Sequence, residues 1–226
     1  MKLSKNESGN VAFIVVAVIV GLVIGFTVGR IMNNNKKTTT TTTGITASAQ
    51  SLNDTLVTLG IEHMTLTDQA IDAALDGNAD ASATSAALYT NGTDIGAAVG
   101  SVYGSSAQST FDSVWKLHLD QFVNYAVADK EGNAANKTAA LNAIQTGYTV
   151  PLAQYLAKAN PNISESALQT ELTNHVAMTA TMIDDHVQGN YTAEASELNM
   201  ANKDIVTLFS GLSSAIVKQY PSKFAN

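Results

Sequence analysis

Three times in this chain a histidine is followed, 14 residues later, by Gly-Asn: His63 by Gly77-Asn78, His118 by Gly132-Asn133, and His175 by Gly189-Asn190. The spacing between successive histidines is 55 and then 57 residues. An internal repeat of this length is one supersecondary unit used three times. Gly takes the left-handed conformation just past a helix C-terminus, and Asn tolerates it, so each Gly-Asn reads as a helix stop.

Before each stop, apolar residues recur every three or four positions. The first helix carries Leu52, Leu56, Leu59, His63, Leu66 and Ala70. The second carries Phe111, Val114, His118, Phe122 and Tyr125, and the third Leu168, Leu172, His175, Met178 and Met182. These are amphipathic helix patterns. After each stop a return helix follows, roughly Ala81 to Val102, Ala134 to Ala159 and Thr192 to Lys218. Gly104 and Pro161 punctuate the junctions. Ser105 with Gln108, and Asn162 with Glu165, have capping-box spacing. The expected fold is all-α: a six-helix bundle of three helical-hairpin repeats, at about 50–104, 105–161 and 162–220, within a domain spanning 47–226.

In an up-and-down bundle the three leading helices run the same way. His63, His118 and His175 then lie at one depth, about 21 Å from the Gly-Asn turns at 1.5 Å per residue. Each sits on the apolar stripe of its helix and points inward. Three imidazoles at one level can hold copper or zinc and leave a fourth coordination position for another ligand. A histidine on an apolar face is also commonly a hydrogen-bonded core residue, and duplication would copy it three times without any metal. His175, Met178, Met182 and His186 form a second face, at steps of three, seven and eleven residues, whose imidazole and thioether donors suit Cu(I). Met is equally a core filler. Asp94 and Asp204 begin matching Asp-Ile phrases and read as exposed or capping carboxylates. Glu62 and Glu171 do not form the Glu-x-x-His pairs of di-iron bundles. Metal held by ordinary imidazoles should be lost as pH falls through about 6.5.

Ahead of the repeats the chain changes character. Residues 11–32 are an apolar run interrupted only by Gly21, Gly25, Thr27 and Gly29-Arg30. This is long enough to span a bilayer as a retained anchor rather than a cleaved leader. Residues 1–10 are expected in the cytoplasm, 33–46 form an Asn/Thr-rich spacer, and the helical domain lies outside the membrane. Gly21, Gly25 and Gly29 share one helical face, a small-residue pattern that permits self-association.

The segment through Lys37 has five basic side chains and one acidic. From Gly44 onward there are 18 acidic and seven basic. So acidic a domain repels nucleic acid and attracts cations. The absence of cysteine excludes thiolate sites and thiol catalysis. No phosphate loop, nucleophile elbow or His-Glu-x-x-His motif is present. The six Asn-x-Ser/Thr sequons, at Asn6, Asn53, Asn91, Asn136, Asn162 and Asn190, carry little weight in a chain so rich in Asn and Thr.

Several phrases form a recognisable set: Ser101-Val102-Tyr103-Gly104, Phe111 with Trp115 and His118, Phe122-Val123 with Tyr125, and Ala159-Asn160-Pro161-Asn162. The ending Leu212-Ser213-Ser214-Ala215-Ile216-Val217, with Gln219, Pro221 and Phe224, completes it. From about Leu56 to Phe224 the chain resembles small exported bacterial all-helical proteins often named "copper amine oxidase". The resemblance implies an exported helical domain and metal binding, with histidines matching His63, His118 and His175. Where those proteins have a further His, this chain has Asp204. It does not imply oxidase chemistry, since the quinone-forming Asn-Tyr-Asp/Glu motif is missing: Asn124-Tyr125 precedes Ala126 and Asn190-Tyr191 precedes Thr192.

Two functions are thus expected. One is a membrane-anchored, surface-displayed interaction or structural module with an unknown protein partner and no catalytic activity. The other is an extracytoplasmic copper- or zinc-binding protein using His63, His118 and His175.

Overall fold

A computed structural model describes residues 46–225. The expected anchor at 11–32, its glycine face and nearly all of the spacer lie outside these residues. None of the described helices is long and apolar enough to cross a membrane.

The described residues contain helices and no strand. In chain order they are α1 (Ala47–Asp76), α2 (Ala81–Tyr103), α3 (Ser105–Lys130), α4 (Ala134–Ile144), a π-helical turn (Gln145–Thr149), α5 (Val150–Ala159), α6 (Glu165–Val187) and α7 (Tyr191–Gln219). A short 3-10 turn (Pro221–Lys223) follows. The π turn is continuous with α4 and α5, so the chain forms six rods in three hairpins, as the repeat requires.

The three Gly-Asn stops are built alike. Gly77, Gly132 and Gly189 have φ of 71°, 67° and 72°. The following Asn78, Asn133 and Asn190 donate backbone N–H bonds to the carbonyls five residues back, on Ala73, Ala128 and Asp185, at 2.8–2.9 Å. This is the Schellman closure, which satisfies carbonyls the helix end would otherwise orphan. Asn133 then also caps α4, its side chain accepting from the Asn136 N–H. The two expected capping boxes do not form. Ser164, not Asn162, caps α6 by accepting from the Ala167 N–H, and α3 starts after Gly104 with no side-chain cap. In both places the chain turns at Gly104 or Asn160 before the predicted cap can reach its partner.

Helices α1, α3 and α6 touch one another at the centre. Helix α2 packs against α1 and α3, the α4–α5 rod against α3 and α6, and α7 against α6 and α1. The bundle is a pseudo-threefold ring whose three histidine-bearing helices form the inner trio. Close approach is set by small residues: a Cβ added to Gly60 would meet Phe209 at 2.9 Å, and one on Gly92 would meet Trp115 at 2.8 Å. The core between the helices includes Leu56, Met64, Ile95, Trp115, Ile144, Tyr148, Leu172, Ile183, Ile205 and Ile216.

The π turn interrupts what reads in sequence as one helix from Ala134 to Ala159. Pro151 has no N–H to offer the carbonyl four residues back, so the helix widens, and the Val150 N–H reaches the Gln145 carbonyl instead. The wider turn presses Gly147 against Leu117 and turns Tyr148 into the core, where it is fully buried.

Candidate metal centre

The repeat geometry brings His63, His118 and His175 together. One ring nitrogen from each lies within 4.8 Å of the other two. Ring centroids are 5.7 Å apart for His63–His118 and 6.0 Å for His63–His175. A triangle of that side has its centre about 2.8 Å from each nitrogen. An inward shift of about 0.7 Å or less reaches the ~2.0–2.1 Å of a metal–imidazole bond.

The rings are held by an aromatic cage. His118 stacks on Tyr148 at 4.2 Å and meets the edge of Trp115 at 4.7 Å. His63 lies 5.0 Å from Trp115, which is itself stacked on Phe111. The Trp115 seat depends on Gly92, and the Tyr148 seat on the π turn.

All three histidines are buried, and their hydrogen bonding is incomplete. Both nitrogens of His118 and the Nδ1 of His63 and of His175 have no well-formed protein partner. Leaving such groups unpaired in a core costs about 1–3 kcal/mol each. The Asn91 amide beside His63 donates to the Leu59 carbonyl (3.0 Å) and to the Glu62 carboxylate (3.3 Å). That leaves its Oδ1 unused and available to His63. An acceptor there would fix the Nδ1–H tautomer and leave Nε2 for a metal, the role outer carbonyls and carboxylates play around histidine ligands. Asn91, part of one of the sequons, is itself buried.

Burial, with His175 adding a second push, holds the His63 imidazole down at about 3. Burial alone holds His175 at about 4, and burial together with the two neighbouring imidazoles holds His118 well below the usual range. The three rings therefore stay neutral, the form that ligates, far below the pH near 6.5 expected of ordinary imidazoles.

A cavity of about 390 Å³ opens onto the three histidines. Its walls are mainly apolar, with Ile71, Leu88, Leu119 and Phe122 among them. Thr67 and Thr179 stand one turn from His63 and His175, each bonded through its hydroxyl to that histidine's carbonyl, at 2.7 and 3.0 Å. Lys130, bonded to the Leu75 carbonyl, lies on the wall near the Gly-Asn turns.

The second face expected on α6 does not form a single site. Met182 is buried in the core and Met178 packs partly buried against it; neither lines the cavity. His186, three turns beyond His175, belongs to another cluster. Its Nδ1 lies 2.9 Å from both Glu194 Oε1 and Asp72 Oδ1, and its Nε2 lies 3.2 Å from Asp76 Oδ1. Burial opposes charge on His186, but Asp76, Asp72 and Glu194 together raise its pKa. Burial and then Asp72 hold Glu194 up at about 7. Asp94 is exposed, as expected. Asp204 is half-buried beside Glu171, its pKa raised by burial and that neighbour, and it is not among the residues grouped with the triad.

Sequence reasoning missed Asn91, Tyr148, Asp72, Asp76 and Glu194. Pro151 inside an otherwise helical stretch signals the distortion that places Tyr148. Asp68, Asp72 and Asp76, four apart, mark an acidic face on α1, but no local pattern says that His186 lies against it. Comparison with known protein families, with curated proteins and with solved structures finds no match to this chain.

Proposed function

We propose that the domain binds a transition metal ion, copper or zinc, through His63, His118 and His175. The observation that carries this reading is the convergence of three buried imidazoles whose ring nitrogens are mostly unbonded, at the end of a cavity. A core histidine retained for structure would have its nitrogens paired. Here the fold carries three poorly satisfied polar rings in one place, and a shared cation would use all of them. Three neutral ligands leave a further coordination position, and the cavity supplies room for water or a small ligand there. The resemblance to small exported "copper amine oxidase" proteins agrees with a metal-binding helical head.

The apolar run at 11–32 and the polar spacer at 33–46 support a head tethered outside the membrane. Protease added to intact cells then cleaves near residues 38–44 and releases the domain; protection until lysis would reverse that orientation. The site favours metal binding over a purely structural or interaction module. Val123 and Val127, exposed one turn apart on α3, lie on the cavity wall.

Titration of metal-free full-length protein with copper and zinc tests the reading. Loss of one bound ion per chain on replacing any one of the three histidines with Gln supports it. Equal binding by wild type and His118→Gln would sink it.

A further inference from the structure

We propose that Asp72, His186 and Glu194 form a second divalent-cation site, separate from the histidine triad and built from harder donors. Glu194 and His186 are both more than nine-tenths buried, and one ligand atom from each of the three residues lies within 4.8 Å of the others. Two carboxylate oxygens, on Asp72 and Glu194, crowd the same ring nitrogen, Nδ1, at 2.9 Å each. One N–H cannot serve both well, and Asp72 Oδ1 is buried with no satisfactory hydrogen bond. The opposite nitrogen, Nε2, faces Asp76 at 3.2 Å. Donation of its proton to that carboxylate leaves the Nδ1 lone pair facing Asp72 and Glu194. This carboxylate–histidine–metal arrangement orients many bound ions.

The charge balance points the same way. Asp72, Asp76 and Glu194 bring three carboxylates to one imidazole, and among the described residues no lysine makes an ion pair with any of them. With His186 protonated and all three carboxylates ionised, the cluster has an excess of two negative charges, which one divalent cation cancels; burial and Asp72 otherwise hold Glu194 up at about 7. The second repeat shows the contrast. There Asp129 and Lys137 occupy the positions of His186 and Glu194, three residues before and five after the Gly of the stop. They form an ion pair extended to Asp184. The third repeat replaces that lysine with a carboxylate and adds two more from α1. A nitrogen with two carboxylates suits zinc or manganese rather than Cu(I).

Zinc and manganese(II) are the probes, with full-length protein and metal counted after equilibrium dialysis. Wild type is expected to hold two zinc ions per chain. His118→Gln, which disables the triad, holds one zinc and also binds manganese. Asp72→Asn with Glu194→Gln holds one zinc and no manganese. Asp76→Asn, which removes only the outer carboxylate, weakens manganese binding about 10–100-fold without abolishing it. Circular dichroism melting checks that each variant is folded; Asp76→Asn keeps the test available if the double variant is not. Loss of all zinc and manganese in folded His118→Gln would overturn the second site and leave the triad standing. One zinc retained in His118→Gln but none in the Asp72/Glu194 variant would support the second site and sink the triad. Manganese binding unchanged in Asp72→Asn/Glu194→Gln would show that the cation binds elsewhere and overturn the inference.

Discussion

Replacing His118 with Leu separates what the histidine triad does for stability from what it does for binding. His118 is 0% exposed, and neither ring nitrogen has a well-formed partner. Removing the imidazole therefore relieves about 1–3 kcal/mol of unsatisfied polarity. Loss of the Tyr148 stack at 4.2 Å offsets about 0.5–1.5 kcal/mol of that gain. At pH 7.5, with chelator present, the variant is expected to be about 1 kcal/mol more stable than wild type. The pH dependence is sharper. Burial holds the folded His118 pKa well below 6.5, whereas the unfolded chain takes a proton at about 6.5. Below that pH the unfolded state binds more protons, so His118 subtracts stability as pH falls, by about 2 kcal/mol at pH 5. The variant lacks this term, so its advantage grows to about 3 kcal/mol at pH 5. Urea unfolding followed by circular dichroism at the two pH values reads the difference directly. In the Asp72→Asn/Glu194→Gln background, where only the triad remains, zinc at a hundredfold excess over its Kd should stabilise the His118 protein by about 2.7 kcal/mol and leave the Leu variant unchanged. A variant less stable than wild type by the same amount at both pH values would instead show His118 to be a satisfied structural residue.

Gly92→Val should drive a side chain into Trp115, lowering stability by about 1–3 kcal/mol and weakening zinc binding by shifting the ring that seats His63 and His118; thermal melts and zinc titration check both. Gly77→Ala places a Cβ at φ of 71° with no neighbour within 4 Å, so it should cost about 1 kcal/mol of backbone strain, roughly 2–4 °C in Tm, with zinc affinity unchanged. Ala126→Phe narrows the cavity leading to the triad and should slow zinc removal by a chelator, measured by stopped flow, while leaving coordination intact. Because burial holds His63 at about 3 and His175 at about 4, zinc bound to the triad in Asp72→Asn/Glu194→Gln protein should be retained at pH 5 and released only nearer pH 4; release there with a midpoint near 6.5 would contradict the burial argument.

The triad was legible because a repeat converts sequence register into spatial depth. Equal spacing of His63, His118 and His175 from three Gly-Asn stops, on three parallel amphipathic helices, puts them at one depth; their convergence comes from α1, α3 and α6 meeting at the centre. The stops were equally legible, since a left-handed residue after a helix is a local requirement. The second cluster was not, because His186 and Asp76 are 110 residues apart and meet only through the packing of α1 on α6 and α7. On α6 the alternative of Met178 and Met182 as core fillers holds, because shared orientation along a helix does not bring residues three turns apart to one ion. Tyr148 was hidden because the pattern from Ala134 to Ala159 reads as α-helical, and only Pro151 hints at the wider turn that carries the tyrosine against His118.

X-ray absorption at the zinc edge reads the coordination of the histidine triad. The sample is full-length Asp72→Asn/Glu194→Gln protein loaded with one equivalent of zinc, so that the signal comes from the triad alone. Three imidazole nitrogens at about 2.0–2.1 Å and one further light ligand are expected. A zinc shell built mainly of oxygen, with one imidazole or none, would contradict the triad site.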